Sequence, residues 1–432
     1  PATPLYPLAF RGHMIPGSVV KPAVAVASLE EGVMSPTDKI YDHLHYYFDS
    51  TTSSSCWSPT THGWETAQDA IRNSCNYFFI EVGMRLGIER INKWTDAFGL
   101  SSHTGLEIIE DDPNAFASPE LKARLFKKSY TMGPEIRLVM GRDGYDEVSG
   151  DLIDALVNIE IGDDRDENLR KIRSTLQEYG YYVFKDTDGD GLDDVTGRTS
   201  NATDRNFANA GGAIHYTLSN FQNWTPVDTG QAAYGQGYST ISPLCIARYI
   251  AALANGGHVL DTRVVKEAVT GDGTILYETN VNEEMTKLTD SYYDEDGTLV
   301  KTVEKDLPAV GADPAYMEYV KEGMYRVVYD RQHTPYGRGT AASYFMTLDD
   351  SITLAGKTGT AQVVAGTEER NNAWFVCFSP YENPEIVITV AVPNGRTSGN
   401  AAPIARKILE QYYSIQREDQ GEALPDLQGM TE

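Results

Sequence analysis

The stretch Pro16-Gly-Ser-Val-Val-Lys-Pro22 decides how this sequence is interpreted. It sets a serine and a lysine three residues apart, directly before the apolar run Ala23 to Ala27. Residues at this spacing share one face of a helix, so the amine of Lys21 can reach the hydroxyl of Ser18 and accept its proton. Backbone N–H groups at a helix N-terminus can also stabilise negative charge. The stretch therefore predicts a buried helix that begins with an activated serine nucleophile.

Two further motifs follow in a fixed order, Ser74-Cys-Asn76 and Lys357-Thr-Gly-Thr360. The second lies within the extended apolar run Ile352 to Val364, which predicts a strand that lines a cleft. Taken singly, each motif is also typical of an ordinary helix surface, loop or turn. Together they supply a nucleophile, a base, a second hydroxyl and a cation for an anionic substrate, a combination that indicates amide-type acyl transfer.

The sequence resembles the penicillin-binding proteins, whose catalytic motifs are S-x-x-K, S-x-N and K-T-G. The resemblance extends to the residues around the motifs, over roughly residues 5–110 and 230–415, and is absent from much of 120–205. The matching blocks, in order, are Pro16-Gly-Ser-Val-Val-Lys-Pro22, Ser74-Cys-Asn-Tyr-Phe-Phe79, Gly235-Gln-Gly237 followed by Pro243-Leu and Ala254-Asn-Gly-Gly257, and Ala373-Trp-Phe-Val376.

The resemblance implies an α+β fold of the β-lactamase and transpeptidase type. An antiparallel sheet is flanked by helices on both sides, and there is an all-helical subdomain. We expect one catalytic domain over residues 1–415, an acidic insert at about 120–205 and a disordered tail over 416–432. Because only Pro1 to Gly17 precede Ser18, we interpret the chain as N-terminally truncated. It would lack the first strands of the sheet and a membrane anchor.

The resemblance also implies roles for the motif residues. Ser18 would be the nucleophile, Lys21 its base, Ser74 a proton relay and Asn76 a partner of the substrate amide. The backbone N–H groups of Ser18 and Thr360 would form the oxyanion hole. The remaining motif residues, which would bind the terminal carboxylate of the substrate, are Lys357, Thr358, Gly359 and Thr360.

The implied function is that of a D,D-transpeptidase that cross-links peptidoglycan stem peptides ending in D-Ala-D-Ala, without a cofactor for catalysis. β-Lactam antibiotics and the cell-wall synthesis machinery are the implied partners, at the extracytoplasmic face of the bacterial membrane. A D,D-carboxypeptidase or a serine β-lactamase on the same scaffold remains an alternative. So does a protein of another class, either a non-catalytic penicillin sensor or a calcium-stabilised scaffold.

Composition limits the other possibilities. The 432 residues, 41% of them hydrophobic, can bury a large core. A formal net charge of −26 argues against nucleic acid as a partner. The four cysteines show no metal-type spacing and are interpreted as isolated thiols, and His62 lies in no metal or triad pattern.

Several elements can be predicted along the chain. Ser50 to His62 is interpreted as a surface loop, and Tyr77 to Phe98 as one helix that ends before Gly99. A further helix is predicted over Pro243 to Ala254, with Asn255-Gly256-Gly257 as its end. Three strands, Ile352–Val364, Ala373–Phe378 and Glu385–Val392, predict an antiparallel meander covered by a helix over Pro403–Tyr413.

The insert carries much of the acidic charge, because residues 143–200 contain 16 Asp and Glu against 6 Lys and Arg. Residues 186–197 resemble a calcium-binding loop, with candidate ligands Asp186, Asp188, Asp190 and Asp194. Alternate carboxylates converge on one hard cation, and Gly191 permits the sharp turn. The twelfth position is Gly197 where an EF-hand has a glutamate. A structural calcium site and a solvated acidic turn are both consistent with this pattern.

Bound calcium would relieve the repulsion among these clustered carboxylates. We therefore expect millimolar calcium to raise the melting temperature of the protein, and Asp188→Ala to abolish that rise. Differential scanning calorimetry in calcium and in chelator measures the effect. Identical melting curves in the two conditions would contradict a calcium site.

Overall fold

The structure is a computed structural model, and it describes residues 6–50, 52–108, 113–126, 129–142, 147–181, 210–331, 338–363 and 370–419. Its contacts divide the chain into two compact units. The first comprises Pro1–Ala117 and Pro226–Glu432, and the second comprises Ser118–Thr225. Each unit has its own secondary structure and is described separately.

The N-terminal part of the first unit consists of short helices and two small strand pairs. Strand β1 pairs with β4, and β2 pairs with β3, both antiparallel. The elements are α1 (Leu8–Arg11), a 3₁₀ turn (Gly17–Val20), α2 (Lys21–Glu30), β1 (Ile40–Asp42), β2 (His45–Tyr47), β3 (Ser53–Ser55), β4 (Gly63–Glu65), α3 (Ala67–Asn73), α4 (Asn76–Leu86) and α5 (Ile88–Ala97).

Within its described residues, the regular secondary structure of the second unit is entirely helical. Its helices are α6 (Pro119–Phe126), α7 (Ser129–Arg142), α8 (Gly150–Val157), α9 (Arg165–Glu178) and α10 (Ala210–Gln222). They enclose an apolar core of their own, which includes Ile136, Leu156, Ile172 and Leu218. The acidic composition of this segment is therefore compatible with a packed helical unit. The predicted calcium ligands lie outside the described residues, so calcium binding stays a prediction.

The C-terminal part of the first unit contains the remaining helices and two larger sheets. The elements are α11 (Pro226–Ala233), α12 (Pro243–Ala254), β5 (Glu267–Val269), β6 (Ile275–Val281), β7 (Lys287–Tyr293), β8 (Leu299–Asp306), α13 (Pro314–Tyr329), a 3₁₀ turn (Ala342–Tyr344), β9 (Ala355–Ala361), β10 (Asn372–Ser379), β11 (Ile386–Val392), a 3₁₀ turn (Ser398–Asn400) and α14 (Ala402–Asp419).

The sheet formed by β9, β10 and β11 is the predicted meander. It is antiparallel, with β10 in the centre, and Lys357 pairs with Val376 while Thr360 pairs with Ala373. All eight residues of β10 are buried, which requires cover on both faces of the sheet. Helices α12, α13 and α14 pack against these strands. The predicted fold class, α+β with an antiparallel sheet between helices, is confirmed.

Local details differ from the sequence-based expectations. The predicted helix Tyr77 to Phe98 is two helices, because Gly87 interrupts it with a φ of +74°. The expected loop Ser50 to His62 contains strand β3. The sequence also missed the four-stranded sheet β5–β8, whose outer strand β8 is exposed along its whole length. Helix α14 runs into the predicted tail as far as Asp419.

Helix α12 follows its prediction because its ends are encoded locally. It spans Pro243–Ala254, and the Ser242 side chain accepts a hydrogen bond from the backbone N–H of Cys245.

In the described part of the chain, none of the helices combines the length and the apolar character needed to span a bilayer.

The 3₁₀ turn Gly17–Val20, here called the serine turn, packs closely against Gly235 and strand β9 because glycines lie at the contacts. The N–H of Gly17, whose φ is +60°, donates to the Gly235 carbonyl at 2.8 Å. A Cβ atom on Gly235 would lie only 1.9 Å from the Gly17 carbonyl oxygen. A Cβ atom on Gly359 would lie 3.0 Å from Val19 Cγ1 and 3.3 Å from the Pro16 carbonyl oxygen. Strand β9 and the serine turn can approach this closely only because side chains are missing at these positions.

We expect Gly235→Ala to destabilise the protein far more than Gly256→Ala. Both glycines have similar positive φ values, +84° and +86°, but no atom lies within 4 Å of a Cβ at Gly256. The control thus measures backbone strain alone, roughly 1 kcal/mol. Steric overlap at Gly235 adds about 1–3 kcal/mol. Calorimetric melting of the two variants tests this, and equal losses would show that the close approach is unimportant.

Candidate active site

The predicted nucleophile lies at the start of a buried helix. Ser18 is half-buried in the 3₁₀ turn Gly17–Val20, and Lys21 follows as the first residue of α2. Residues 23–27 of this helix are fully buried. Tight packing around the apolar run fixes the helix, and the turn before it carries the serine at the edge of the core.

Ser74 occupies a strained turn between two helices. Helix α3 is capped at its start by Thr66 and Asp69, and it ends at Ser74, which has left-handed backbone angles of φ 55° and ψ 39°. The next residue, Cys75, caps helix α4 by accepting the N–H of Phe78 at 3.4 Å. A left-handed conformation at a non-glycine residue costs energy and is frequent at functional sites. The two helices together hold the Ser74 side chain in place.

Two buried lysines meet at the Ser74 hydroxyl. Lys357 Nζ lies 2.8 Å from Ser74 Oγ, and Lys21 Nζ lies 3.4 Å from the same oxygen. Lys21 also donates to the Ser74 carbonyl and to Asn76 Oδ1, each at 2.8 Å, while Lys357 donates to the Thr358 carbonyl at 2.9 Å. The structure thus joins residues from all three sequence motifs in one hydrogen-bonded group.

In the described structure, the Ser18 hydroxyl is not hydrogen-bonded to this group. Within the described residues, it makes no hydrogen bond to Lys21 or to Lys357. Lys21 is held instead by the oxygens of Ser74 and Asn76. A neutral amine has two hydrogens and one lone pair, so Lys21 can donate to both of those oxygens and still accept a proton. Hydrogen bonds between catalytic groups are often long before substrate binds, so the arrangement is compatible with the predicted role.

Burial shifts the pKa values of both lysines downward. For Lys21, desolvation lowers the pKa to about 8, although nearby Cys56, Cys75 and Glu65 oppose the shift. For Lys357, desolvation and then repulsion from Lys21 hold the pKa well below its usual value. Two ammonium groups sharing one serine would repel each other, so the site favours at least one neutral amine. A neutral amine here can act as a base near neutral pH.

Further hydroxyl and amide groups surround strand β9. Thr358 Oγ1 lies 2.7 Å from Thr340 Oγ1, and Thr360 Oγ1 accepts the N–H of Ser398 at 3.2 Å. Gln236, from the Gly235-Gln-Gly237 block, donates to the Thr360 carbonyl at 3.4 Å. No sequence motif marks Thr340 or Ser398, so sequence reasoning missed both. They reach the strand only through the tertiary fold.

A second buried polar cluster lies beside the Ser74 turn. It consists of Asp42, Cys56, His62 and Cys75, whose ligand atoms all lie within 4.8 Å of one another. His62 Nδ1 is 2.8 Å from Asp42 Oδ2, and Cys56 Sγ is 3.6 Å from His62 Nδ1 and 3.8 Å from Cys75 Sγ. None of the four cysteines forms a disulfide, as expected, and all four are buried. The prediction that they are isolated is wrong for Cys56 and Cys75, which contact each other.

The cluster has a distinct electrostatic character. The hydrogen bond between the Cys56 and Cys75 side chains lowers the pKa of Cys56 to about 4. Burial alone would lower the pKa of His62, but hydrogen bonds with Asp42 and Cys56 raise it to about 10. Glu65 nearby has one buried oxygen without a partner in the described structure. One carboxylate, one imidazole and two thiols form a donor set that suits zinc, so these residues could hold such an ion.

Comparison with known proteins identifies the family of this chain. The model of the penicillin binding protein transpeptidase domain matches residues 2–133 and 157–410. The chain belongs to the penicillin-binding protein transpeptidase family. The predicted resemblance is therefore confirmed, and it is wider than expected, because the match also covers residues 157–205. The match includes every residue of the three motifs.

This chain matches only part of the length of each relative. The chain is 27% identical to the peptidoglycan D,D-transpeptidase MrdA of Haemophilus influenzae over 430 residues, which is 96% of this chain and 46% of that protein. The corresponding protein of Escherichia coli K12 is 22% identical over 424 residues, 95% of this chain and 47% of that protein. The chain thus spans about half the length of the curated relatives it matches.

Solved structures share the fold. The crystal structure of Pseudomonas aeruginosa PBP2 in complex with WCK 5153 matches with a TM-score of 0.59 and 25% identity, covering 95% of this chain and 63% of that one. PBP2 of Helicobacter pylori in complex with MreC matches with a TM-score of 0.55 and 19% identity, covering 94% of this chain and 51% of that one. At that identity the second match shows the fold alone.

Proposed function

We propose that this chain carries the peptidoglycan D,D-transpeptidase activity named for its relatives. The observation that supports this most directly is the Ser74 hydroxyl, which contacts both Lys21 at the start of helix α2 and Lys357 from strand β9. Such a site can pass protons between a nucleophile and a leaving group. Membership of the transpeptidase family makes a stem peptide ending in D-Ala-D-Ala the proposed acyl donor.

The first chemical step is acylation of Ser18. Its Oγ attacks the carbonyl carbon of the penultimate D-Ala, and Lys21 takes the hydroxyl proton. Oxygen becomes negatively charged in the tetrahedral intermediate, and the backbone N–H groups of Ser18 and Thr360 are the proposed donors to it. The turn and the strand that carry these groups are packed closely. A Cβ atom on Gly17 would lie only 3.0 Å from the Thr360 carbonyl oxygen.

The departing D-Ala needs a proton, and Ser74 is the proposed donor of it. Its hydroxyl lies between Lys21 and Lys357, so a proton taken from Ser18 can reach the leaving amine through it. The substrate carboxylate, bound by Lys357 and the hydroxyls of Thr358 and Thr360, would raise the pKa of Lys357 and keep it protonated. An amine of a second stem peptide then attacks the acyl-enzyme and forms the cross-link.

Partners and location follow from the same proposal. A β-lactam mimics the acyl donor and would leave a slowly hydrolysed adduct on Ser18. Homologous structures include a complex of PBP2 with MreC and a peptidoglycan synthase complex. We therefore propose that this chain acts with the cell-wall synthesis machinery at the extracytoplasmic face of the membrane.

A labelling experiment tests the nucleophile. We expect a fluorescent penicillin to acylate the protein, and Ser18→Ala to reduce the labelling rate by at least about 10³-fold, as loss of a nucleophile does in serine hydrolases. Ser28→Ala is the matched control, since Ser28 is a buried serine of helix α2 whose hydroxyl donates to the Ala25 carbonyl. The control is expected to label normally.

Other outcomes would favour the alternatives. Labelling that persists in Ser18→Ala would exclude Ser18 as the nucleophile. Rapid turnover of the adduct would indicate a β-lactamase, and release of D-Ala without cross-linked product a carboxypeptidase. No labelling of the unaltered protein would favour the calcium-stabilised scaffold.

The pH dependence of acylation tests the base. The pKa of Lys21 is lowered to about 8, so below that pH the amine carries a proton and cannot accept another. We expect the acylation rate constant to rise about tenfold per pH unit up to about pH 8 and then to level off. Stopped-flow measurement between about pH 6 and pH 10 checks this. Lys21→Arg, which stays protonated, should abolish labelling throughout, whereas a flat profile would exclude Lys21 as the base.

A further inference from the structure

Two hydroxyl groups of strand β9 are held by residues outside the strand. Thr360 Oγ1 accepts the backbone N–H of Ser398 at 3.2 Å, and Thr358 Oγ1 lies 2.7 Å from Thr340 Oγ1. Residues two apart on a strand face the same side, so both hydroxyls belong to one face of β9. A backbone N–H can only donate, so Thr360 is the acceptor in its bond and its own proton is not used there. The bond between Thr340 and Thr358 allows either direction.

The backbone of Thr340 is anchored to the helix that ends at Ser74. The Thr340 N–H donates to the carbonyl of Arg72 at 3.3 Å, in the last turn of helix α3. Arg72 is itself buried, and its guanidinium donates at 2.7 Å to Oδ2 of Asp330, the residue that ends helix α13. Thr340 thus contacts the helix before Ser74 through its backbone and strand β9 through its side chain.

Helix α13 fixes the same segment from another side. The N–H groups of Gly339 and Ala341 donate at 3.0 Å to the carbonyls of Asp330 and Val327, respectively. A Cβ atom on Gly339 would overlap the Val327 carbonyl oxygen, so the segment can lie this close to the helix only because residue 339 is a glycine. The position of the Thr340 hydroxyl is therefore set by its attachment to two helices.

We propose that Thr340 is a positioning residue for substrate recognition, whose hydroxyl donates to Thr358 Oγ1 and so directs the single proton of Thr358 at the substrate carboxylate. The inference rests on the proposed function, in which Thr358 and Thr360 bind that carboxylate. A hydroxyl group has one proton and two lone pairs. Thr358 can therefore donate to a carboxylate and keep its bond to Thr340 only by accepting from Thr340. Thr340 then acts on Thr358 as the Ser398 N–H acts on Thr360.

Loss of the Thr340 hydroxyl would weaken carboxylate binding and leave the acyl-transfer groups in place. Thr358 is only 4% exposed, so water has little access to replace the lost donor. The Thr358 proton could then turn to another acceptor, and the carboxylate would lose a charge-assisted hydrogen bond, which is stronger than a neutral one. Lys357 would keep its bonds to the Ser74 hydroxyl and to the Thr358 carbonyl, neither of which involves Thr340.

The experiment compares two acylating agents that differ only at the carboxylate, a penicillin and its methyl ester. Intact-protein mass spectrometry of the full chain gives the second-order rate constant for acylation by each agent. We expect Thr340→Ala to lower the rate constant for the penicillin about fivefold to tenfold and to leave the rate constant for the ester nearly unchanged. Thr340→Ser keeps the hydroxyl, so it should restore the ratio of the two rate constants.

Two further variants serve as controls. Thr353 lies just before strand β9, and its hydroxyl donates to Glu382 Oε2 at 2.7 Å, so Thr353→Ala should leave the ratio unchanged. In the double variant Thr340→Ala/Thr358→Ala, the ratio should be no lower than in Thr358→Ala alone, because a residue that acts through Thr358 has no effect once that hydroxyl is gone.

The outcomes separate this inference from the proposed function. Equal losses with both agents in Thr340→Ala would overturn the positioning role, as would an unchanged rate with the penicillin. So would a Thr340→Ser variant as slow as Thr340→Ala, or additive losses in the double variant. An unaltered protein that is acylated equally fast by both agents would support acyl transfer but overturn carboxylate recognition and the role of Thr340. Absence of any acylation would overturn the proposed function and this role with it.

Discussion

The burial of two lysine amines around one serine hydroxyl is the constraint on which the rest of this structure depends. An ammonium group loses its hydration in such a position, and a second one nearby adds repulsion. The fold offsets this by giving Lys21 two oxygen acceptors and Lys357 a backbone carbonyl. It also lowers the pKa values of both lysines. An amine that is readily neutral can accept a proton, and an amine that regains its proton beside a carboxylate can bind an anion.

Keeping these groups together requires rigid neighbours and an unusually close approach of backbone segments. Strand β9 carries Lys357 in a sheet whose central strand is buried on both faces, so the lysine has little freedom to move. Gly17, Gly235 and Gly359 remove the side chains that would otherwise separate the serine turn from its surroundings. This packing explains why the third residue of the K-T-G motif, Gly359, is a glycine. Val19 of the serine turn and Pro16 just before the turn lie where a Cβ atom would be. The glycine of the motif therefore has a packing role of its own, between strand β9 and the 3₁₀ turn that carries Ser18.

The Ser74 turn depends on a support that the motifs do not describe. Cys75 caps helix α4, Trp57 bonds to the Asn73 carbonyl, and Asp42 and His62 complete a buried cluster behind them. The Cys56 and Cys75 sulfurs lie 3.8 Å apart directly beside Ser74, so the packing of this cluster bears on the geometry of the Ser74 turn. The same cluster raises the pKa of Lys21 against the effect of burial, so it influences the base as well as the turn.

The sequence by itself determined the features that are encoded locally. The three motifs in order, the helix with Ser242 before it and Asn255 after it, and the extended runs of the meander depend on neighbours within a few residues, so periodicity and capping residues reveal them. Only the tertiary structure decided that Lys21 and Lys357, 53 and 283 residues from Ser74, share its hydroxyl. It also decided that Thr340 meets Thr358, that four scattered polar residues form one cluster, and that Gly87 divides a helix predicted to be continuous. Contacts of this kind depend on how whole elements pack. Packing is set by the combined burial of many distant residues, which a local pattern does not record.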